Sequence, residues 1–391
     1  MAKAACLIGF FPTTTTQLIL LLSLLLCQVY WNVPSGVCWN SPDKLDPAKF
    51  GIRTNNKQLF HGSQIVTFYE DQLDTDGKYS VKECVHGGLP QNADIHKHLE
   101  KVKKDIEKAI PDKKFSGPAV IDWEHWRPAY ALNWGARTIY KRSSKDGEDL
   151  FNKAARKFVR ETLLLAKKLR EQEEWECAFK FEAYNLQLLW MYQHVNAFYP
   201  PIYLFELNER SEKEKRYVYA RIVMTRWLQK KLAKLNTPIY LFSKIEYSPY
   251  ELDAPFYNNH SLCNSLDYPA DNAVKGVILW SSSANMTQRC GRISEYVDGV
   301  LGPKVQRIQA RVAKCASKVC SNHGRCQLTQ PKRDFGCGDE HYTEHYSCKC
   351  DTGYGGEYCQ HGNNKKKHRA QVRIRVQRRY IREGITAYEN D

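Results

Sequence analysis

Residues 118–128 read PAVIDWEHWRP, and this stretch indicates both the fold and the candidate site. A short β-branched apolar run leads into two carboxylates, Asp122 and Glu124, and then into a Trp-Arg-Pro turn. Side chains two apart on a strand point the same way, so an extended run places both carboxylates side by side. One of two crowded carboxyls keeps its proton and can serve as a general acid. An exposed acidic turn is the alternative, but the surrounding aromatic residues favour a low-dielectric cleft.

The pattern around this stretch alternates helices with short apolar strands. Apolar residues three or four apart predict an amphipathic helix over residues 93–110, directly before the carboxylate strand. Further helices are predicted at 150–169 and 211–235, and further strands at 29–33, 64–69, 202–205, 238–242 and 276–280. We therefore expect an α/β fold, a distorted (β/α) TIM-type barrel with its active site at the carboxyl ends of the strands.

Two histidines lie on the first of these helices. His96 and His98 are two residues apart, so their side chains leave a helix in different directions and form a poor metal pair. We expect both to lie on the surface, and we expect no metal and no cofactor.

The amino terminus and the cysteines predict secretion. Residues 1–27 contain one lysine and an uncharged leucine-rich run, which is typical of a signal peptide and too short for a membrane span; an uncleaved anchor is the alternative. Of the 14 cysteines, Cys6 and Cys27 lie in the predicted leader, and the even set that remains suits an oxidising compartment. Sequons at Asn259 and Asn285 are compatible with glycosylation of a secreted protein.

The net charge of +15 favours a polyanionic partner, either a glycosaminoglycan or a nucleic acid. Part of the excess belongs to a basic tail, residues 361–391, which we expect to be disordered, as a solvated tail or as an electrostatic tether. The leader and the cysteines argue against nucleic acid. Plain solubility charge is the remaining alternative.

Several segments resemble the hyaluronidases, glycoside hydrolase family 56. The carboxylate stretch with Asn133-Trp134 resembles the catalytic segment of that family, and further landmarks occur in the order of the family. They are WNVPS at 31–35, GGLP at 87–90, YPPIY at 199–203, GVILW at 276–280 and LGP at 301–303. The resemblance covers about residues 30–360.

The resemblance implies an enzyme that cleaves the β-1,4 bonds of hyaluronan, and possible action on chondroitin sulfate. Glu124 would be the proton donor and base, and Asp122 would position the acetamido group of the substrate. The residues that the resemblance assigns to substrate binding are Tyr69, Trp126, Arg127 and Trp280. Tyr69 is equally compatible with a structural role at the rim.

The cysteine-rich segment at 313–360 resembles an EGF-like module and follows the barrel domain, residues 28–312. The resemblance implies the pairs Cys315–Cys326, Cys320–Cys348 and Cys350–Cys359, and Cys38–Cys290 in the barrel. A zinc site is the competing interpretation of the module. No partners are assigned to Cys84, Cys177, Cys263 and Cys337.

Two positions depart from the family pattern. Ala178 and Phe242 stand where the family has tyrosines, and a loop after Ala178 is missing. Losing a donor to a developing oxyanion costs ~10²–10³ in rate. A second hypothesis is therefore a catalytically weak or silent protein that binds glycosaminoglycans.

Overall fold

The computed structural model describes residues 27–69, 78–79, 84–85, 88–122, 125–143, 147–169, 174–177, 187–205, 211–329 and 346–362. The described strands are β1 Gln28–Asn32, β2 Val66–Tyr69, β3 Lys78–Tyr79, β4 Cys84–Val85, β5 Pro118–Asp122, β6 Glu174–Cys177, β7 Tyr240–Lys244, β8 Gly276–Trp280, β9 Gly324–Leu328, β10 Tyr346–Cys350, β11 Tyr354–Gly355 and β12 His361–Gly362. The described α-helices are α1 Ile95–Ala109, α2 Thr138–Ser143, α3 Gly147–Leu169, α4 Leu189–Tyr192, α5 Ser211–Lys231, α6 Asn259–Leu262, α7 Tyr268–Asp271, α8 Met286–Tyr296 and α9 Gly302–Val319.

Six of these strands form two three-stranded parallel sheets. Their strand orders are β1-β8-β7 and β2-β5-β6. All neighbouring strands are parallel, so the chain between them must cross over from the end of one strand to the start of the next. Gly276 opens β8 where a Cβ atom would come within 2.5 Å of the Gln28 carbonyl oxygen, so only glycine allows this close pairing with β1. Parallel strands joined by helices confirm the predicted α/β class.

Alternate residues of the strands pack into two separate apolar clusters. In β8, Val277 and Leu279 face the large cluster that includes the helices, whereas Ile278 lies in a small inner cluster. The inner cluster draws on both sheets: Tyr30, Ile65, Val120, Ala197, Tyr199, Tyr240, Phe242 and Ile278. Strands that are buried on both faces explain why their sequences read as continuous apolar runs.

Helix α1 begins and ends close to its predicted bounds, and its buried face contains His98 as well as the expected Val102 and Ile106. The Asp94 carboxylate caps the helix by accepting hydrogen bonds from the amides of His96 and Lys97. His98 is fully buried, and its Nε2 lies 2.8 Å from the Thr162 hydroxyl of α3. The prediction of a surface residue is therefore wrong for His98, whereas His96 is exposed.

The strand predicted at residues 202–205 is absent. This segment has no regular structure, and the chain pairs with β7 only through isolated parallel bridges at Phe198 and Pro201. Pro200 and Pro201 have no amide hydrogen, so the segment cannot form a continuous ladder.

Four disulfides join described residues. Cys38–Cys290 connects the region after β1 to α8, and Cys315–Cys326, Cys320–Cys348 and Cys350–Cys359 hold the C-terminal segment together. These are the four pairs that the family resemblance implied. Cys263 is also disulfide-bonded, whereas Cys27 is buried and forms no disulfide within the described ranges. Within the described ranges, no helix is long and apolar enough to span a membrane.

Candidate active site

The carboxyl ends of β2, β5 and β8 present three of the residues that the sequence assigned to a site. Tyr69 ends β2 and Asp122 ends β5, and the parallel register makes these two residues direct neighbours. Trp280 ends β8 in the other sheet. Ligand sites of parallel α/β proteins lie at this end of the strands.

A hydrogen bond joins the two sheets at this edge. The indole Nε1 of Trp280 donates to the Tyr69 hydroxyl at 3.2 Å, although the residues are 211 positions apart in the chain. The structure therefore brings together two predicted substrate-binding residues and places Asp122 beside them. Both aromatic side chains are only partly buried, so part of each ring is accessible.

Further aromatic rings extend this surface. Tyr203 stacks on Trp280 with 5.9 Å between ring centroids, and Tyr250 meets the same indole edge-on at 6.1 Å. Phe60 stacks on Tyr69 at 5.6 Å. We call Phe60, Tyr69, Tyr203, Tyr250 and Trp280 the aromatic rim. Flat apolar faces with polar edges are suited to contact with the faces of sugar rings.

The sequence had assigned no role to three members of the rim. Tyr203 ends the YPPIY segment, whose resemblance to the family could have indicated a site residue. Phe60 and Tyr250 lie in loops without a distinctive sequence pattern. Their positions follow from packing between distant segments.

Lys244 lies behind the rim at the carboxyl end of β7. Its Nζ donates to the Tyr247 carbonyl oxygen at 2.6 Å and lies 5.8 Å from the centroid of the Tyr203 ring and 5.0 Å from that of Phe205. Lys244 as a whole residue is 6% exposed, so the charge of its ammonium group lies in a region of low dielectric constant. It supplies positive potential at the carboxyl edge of the strands, which favours a negatively charged ligand there.

Arg127 lies in the turn that follows β5. Buried Asn133 holds this turn, since its Oδ1 accepts from the Arg127 amide at 2.8 Å and its Nδ2 donates to the Arg127 carbonyl at 3.1 Å. The guanidinium lies 5.0 Å from the ring centroid of Trp134, which is 49% exposed. This cation–π pair keeps Arg127 extended along a surface tryptophan.

Trp126 occupies a different environment from the one expected. Its ring is 2% exposed and packs edge-on against Phe151 and Phe158 of α3. A buried indole offers no face to a sugar, so the assignment of Trp126 to substrate binding is replaced by a packing role. The stretch of sequence around it could not distinguish the two roles, because catalytic clefts and cores both use tryptophan.

Four residues and two terminal segments named from the sequence lie outside the described residues. The residues are Trp123, Glu124, Ala178 and Cys337, and the segments are 1–26 of the predicted leader and 363–391 of the predicted tail. The pairing of Asp122 with Glu124 and the effect of Ala178 thus stay predictions. Phe242 is described: it is 7% exposed and packs edge-on against Tyr199 in the inner cluster.

A buried ion pair supports the chain beyond Trp280. Arg289 and Glu246 have side chains that are both 1% exposed, with 2.5 Å between Nη2 and Oε2. The Ser281 hydroxyl donates to the same carboxylate at 2.6 Å, and Arg289 Nη1 donates to the carbonyls of Ser282 and Ala284. Sequence analysis missed this network, which fixes the segment directly after the rim tryptophan.

Both predicted glycosylation sites are exposed asparagines. Asn259 is the first residue of α6, and Asn285 precedes α8 with a left-handed backbone, φ 51°. Among the described residues, no cluster of three or more His, Cys, Asp or Glu side chains could hold a metal ion.

Parallel βα units with a carboxylate and an aromatic rim at the carboxyl ends of their strands have the arrangement of a TIM-barrel-type active site. The chain belongs to glycoside hydrolase family 56, the hyaluronidases, which matches residues 21–372.

Relatives and a solved structure agree with this membership. A chondroitin hydrolase of Caenorhabditis elegans is 31% identical over 376 residues, which cover 85% of this chain and 80% of that protein. Hyaluronidase-1 of Bos taurus is 32% identical over 337 residues, covering 76% of this chain and 74% of that protein. The crystal structure of bee venom hyaluronidase in complex with a hyaluronic acid tetramer matches with a TM-score of 0.64 at 24% identity, covering 72% of this chain and 99% of that chain, and thus shares the fold.

Proposed function

We propose that this chain is a secreted endo-β-N-acetylhexosaminidase that hydrolyses β-1,4 linkages in hyaluronan and in chondroitin. The observation that carries the proposal is the hydrogen bond between Trp280 and Tyr69, with Asp122 as the strand neighbour of Tyr69. Family membership and the chondroitin hydrolase relative support hydrolysis of glycosaminoglycans. These findings favour an enzyme over the silent binding protein.

The proposal includes a closed barrel and an EGF-like C-terminal module. The inner cluster supports the barrel, because residues of both three-stranded sheets share one apolar interior. The three disulfides and the antiparallel pair β9–β10 support the module, since few apolar residues are available there to form a core. The leucine-rich run that predicts a leader at residues 1–27, together with the disulfides, supports secretion.

In the proposed mechanism the acetamido carbonyl of the substrate is the nucleophile, a substrate-assisted route with retention. Glu124 protonates the departing glycosidic oxygen and then accepts a proton from the attacking water. Asp122 accepts a hydrogen bond from the acetamido N–H, which orients the carbonyl oxygen and stabilises the positive charge that develops on the ring it forms. The proton that Glu124 gives to the departing oxygen is thus replaced by one from the attacking water, and Asp122 exchanges no proton.

The aromatic rim binds the sugar next to the reacting bond. Trp280 forms one wall for the acetamido group, and its hydrogen bond to Tyr69 holds both rings in one orientation. The glucuronate carboxylates of the polymer are attracted by Lys244 and Arg127, which lie at the same edge of the sheets. These contacts select an acidic, acetamido-bearing polysaccharide.

The test is reducing-end release from hyaluronan and from chondroitin. We expect Glu124→Gln to lower kcat by ~10²–10⁴ because it removes the transferable proton. Glu148→Gln, at an exposed site in the first turn of α3, is the matched control and should leave the rate unchanged. Full activity of Glu124→Gln would overturn the assignment of the acid, and absence of cleavage by the unmodified protein would overturn the enzyme itself.

A further inference from the structure

Three cationic side chains meet where the C-terminal module packs on the larger domain. Arg325 of β9 and Lys349 of β10 are direct partners across the antiparallel pair. Arg226 of α5 reaches the same place, since its Nη2 donates to the Asn272 carbonyl and Asn272 is bridged to Gln327, two residues beyond Arg325. We call Arg226, Arg325 and Lys349 the cation cluster.

The cation cluster lies away from the candidate active site. Asn272 precedes the amino end of β8, whereas Trp280 stands at the carboxyl end of the same strand. The two places are therefore at opposite ends of the parallel sheet. Residues at the amino ends of such strands usually serve stability.

The electrostatics of the cluster are unfavourable as they stand. Like charges directly opposite each other on paired strands are destabilising. Burial, followed by repulsion from Arg325 and Arg226, lowers the pKa of Lys349 to about 8. Burial also lowers the pKa of Arg226, and Arg325 contributes to that shift.

Hydrogen-bond donors of the cluster are also left without acceptors. Arg325 Nε and Nη1 are buried and have no hydrogen-bond partner within the part of the chain that the structure describes. Nearby carboxylates are already engaged: Asp267 pairs with Lys304 at 2.6 Å, and Asp271 pairs with Arg311. Buried unpaired donors are rare in folded proteins, and beside two further cations they favour a site for an acceptor of negative charge.

We propose that the cation cluster is a binding site for a tetrahedral oxyanion, a sulfate or phosphate group, that joins the C-terminal module to the larger domain. The planar guanidinium of Arg325 offers Nε and an Nη in the fork geometry that binds two oxygens of such a group. Lys349 and Arg226 supply charge and further donors to the remaining oxygens. The same chemistry is available from a free inorganic anion or from a sulfate ester on a glycosaminoglycan.

The experiment measures the thermal unfolding midpoint of the full chain while sodium sulfate replaces sodium chloride at constant ionic strength. We expect a saturable rise in Tm of ~2–4 °C for the unmodified protein, since a ligand that binds only the folded state stabilises it. Arg325→Gln should lose the saturable part. Lys318→Gln, an exposed change of equal charge on α9, is the control and should keep it.

A second variant separates anion binding from a structural role. Lys349→Gln relieves the repulsion, so its Tm in chloride should equal or exceed that of the unmodified protein, while its response to sulfate falls.

A comparison of two oligosaccharides of equal length, one of chondroitin sulfate and one of hyaluronan, identifies the source of the anion. A rise in Tm with the sulfated oligosaccharide alone assigns a sulfate ester, and a rise with inorganic sulfate alone assigns a free anion. Equal responses of the unmodified protein and Arg325→Gln in every arm would overturn the proposal. Hydrolytic activity does not enter this comparison, so its outcome is independent of the proposed function.

Discussion

Replacing Glu246 with alanine should destabilise this protein more than any surface substitution. The side chains of Glu246 and Arg289 are both 1% exposed, and the carboxylate accepts two hydrogen bonds from Arg289 Nη2 and one from Ser281. Alanine leaves the guanidinium buried without a counter-charge. Breaking a buried ion pair in this way costs ~3–5 kcal/mol in the free energy of unfolding.

Denaturant unfolding with the disulfides intact measures this loss. The matched control is Asp298→Ala, which breaks the Lys49–Asp298 pair, whose N···O distance is 2.8 Å and whose side chains are 44% and 43% exposed. An exposed pair contributes ~0.2–1 kcal/mol, so the control should shift the midpoint only slightly. Equal shifts for the two variants would refute a role for burial.

A double substitution separates loss of the pair from loss of the fold. Glu246→Leu combined with Arg289→Met removes both charges and keeps apolar volume, and such replacements are often neutral or stabilising. We therefore expect the double variant to recover most of the stability that Glu246→Ala loses. Its activity should stay below that of the unmodified protein, because the hydrogen bonds to Ser281, Ser282 and Ala284 that hold the segment after Trp280 are gone. A double variant as unstable as Glu246→Ala would contradict this reasoning.

Two further predictions concern stability alone. Burial lowers the pKa of His98 to about 3, so below pH 6.5 the unfolded chain binds a proton that the folded chain does not. The free energy of unfolding should therefore fall by up to ~1.4 kcal/mol for each pH unit below 6.5. Unfolding measured at a series of pH values should show a weaker pH dependence for His98→Gln and an unchanged one for the exposed His96→Gln. Trp126→Ala should cost ~3–5 kcal/mol in unfolding free energy, because it empties a site that is 2% exposed, and a variant that lost substrate affinity at full stability would restore the binding role.

The sequence predicted those elements that depend on local periodicity. Strand β8 has its predicted bounds at Gly276–Trp280, and α1 differs from its prediction by two residues at one end and one at the other. A run of apolar residues or a repeat of three and four carries this information within a few neighbouring positions. The apolar run at 202–205 wrongly predicted a strand, because the prolines before it lack the amide hydrogens that a continuous ladder of β-sheet hydrogen bonds needs.

Family motifs extended prediction to some distant contacts. The resemblance implied four disulfides and brought Tyr69 and Trp280 into one site, and the structure contains the bonds and the contact. A family motif does not determine whether a particular side chain in it is buried or exposed. Trp126 stands in the same quoted stretch as Asp122, yet its ring turns into the core against α3.

Spacing along the chain predicted the α/β class and the carboxylate strand, and the family resemblance implied four of the disulfides, because local pattern and family motifs encode these features. The aromatic rim, the burial of His98, the pair Glu246–Arg289 and the cation cluster became visible in the folded chain alone. Each of these features depends on side chains that are far apart in sequence and come into contact only when helices and sheets pack. These tertiary contacts determine whether a buried charge is paired and whether an aromatic ring is covered.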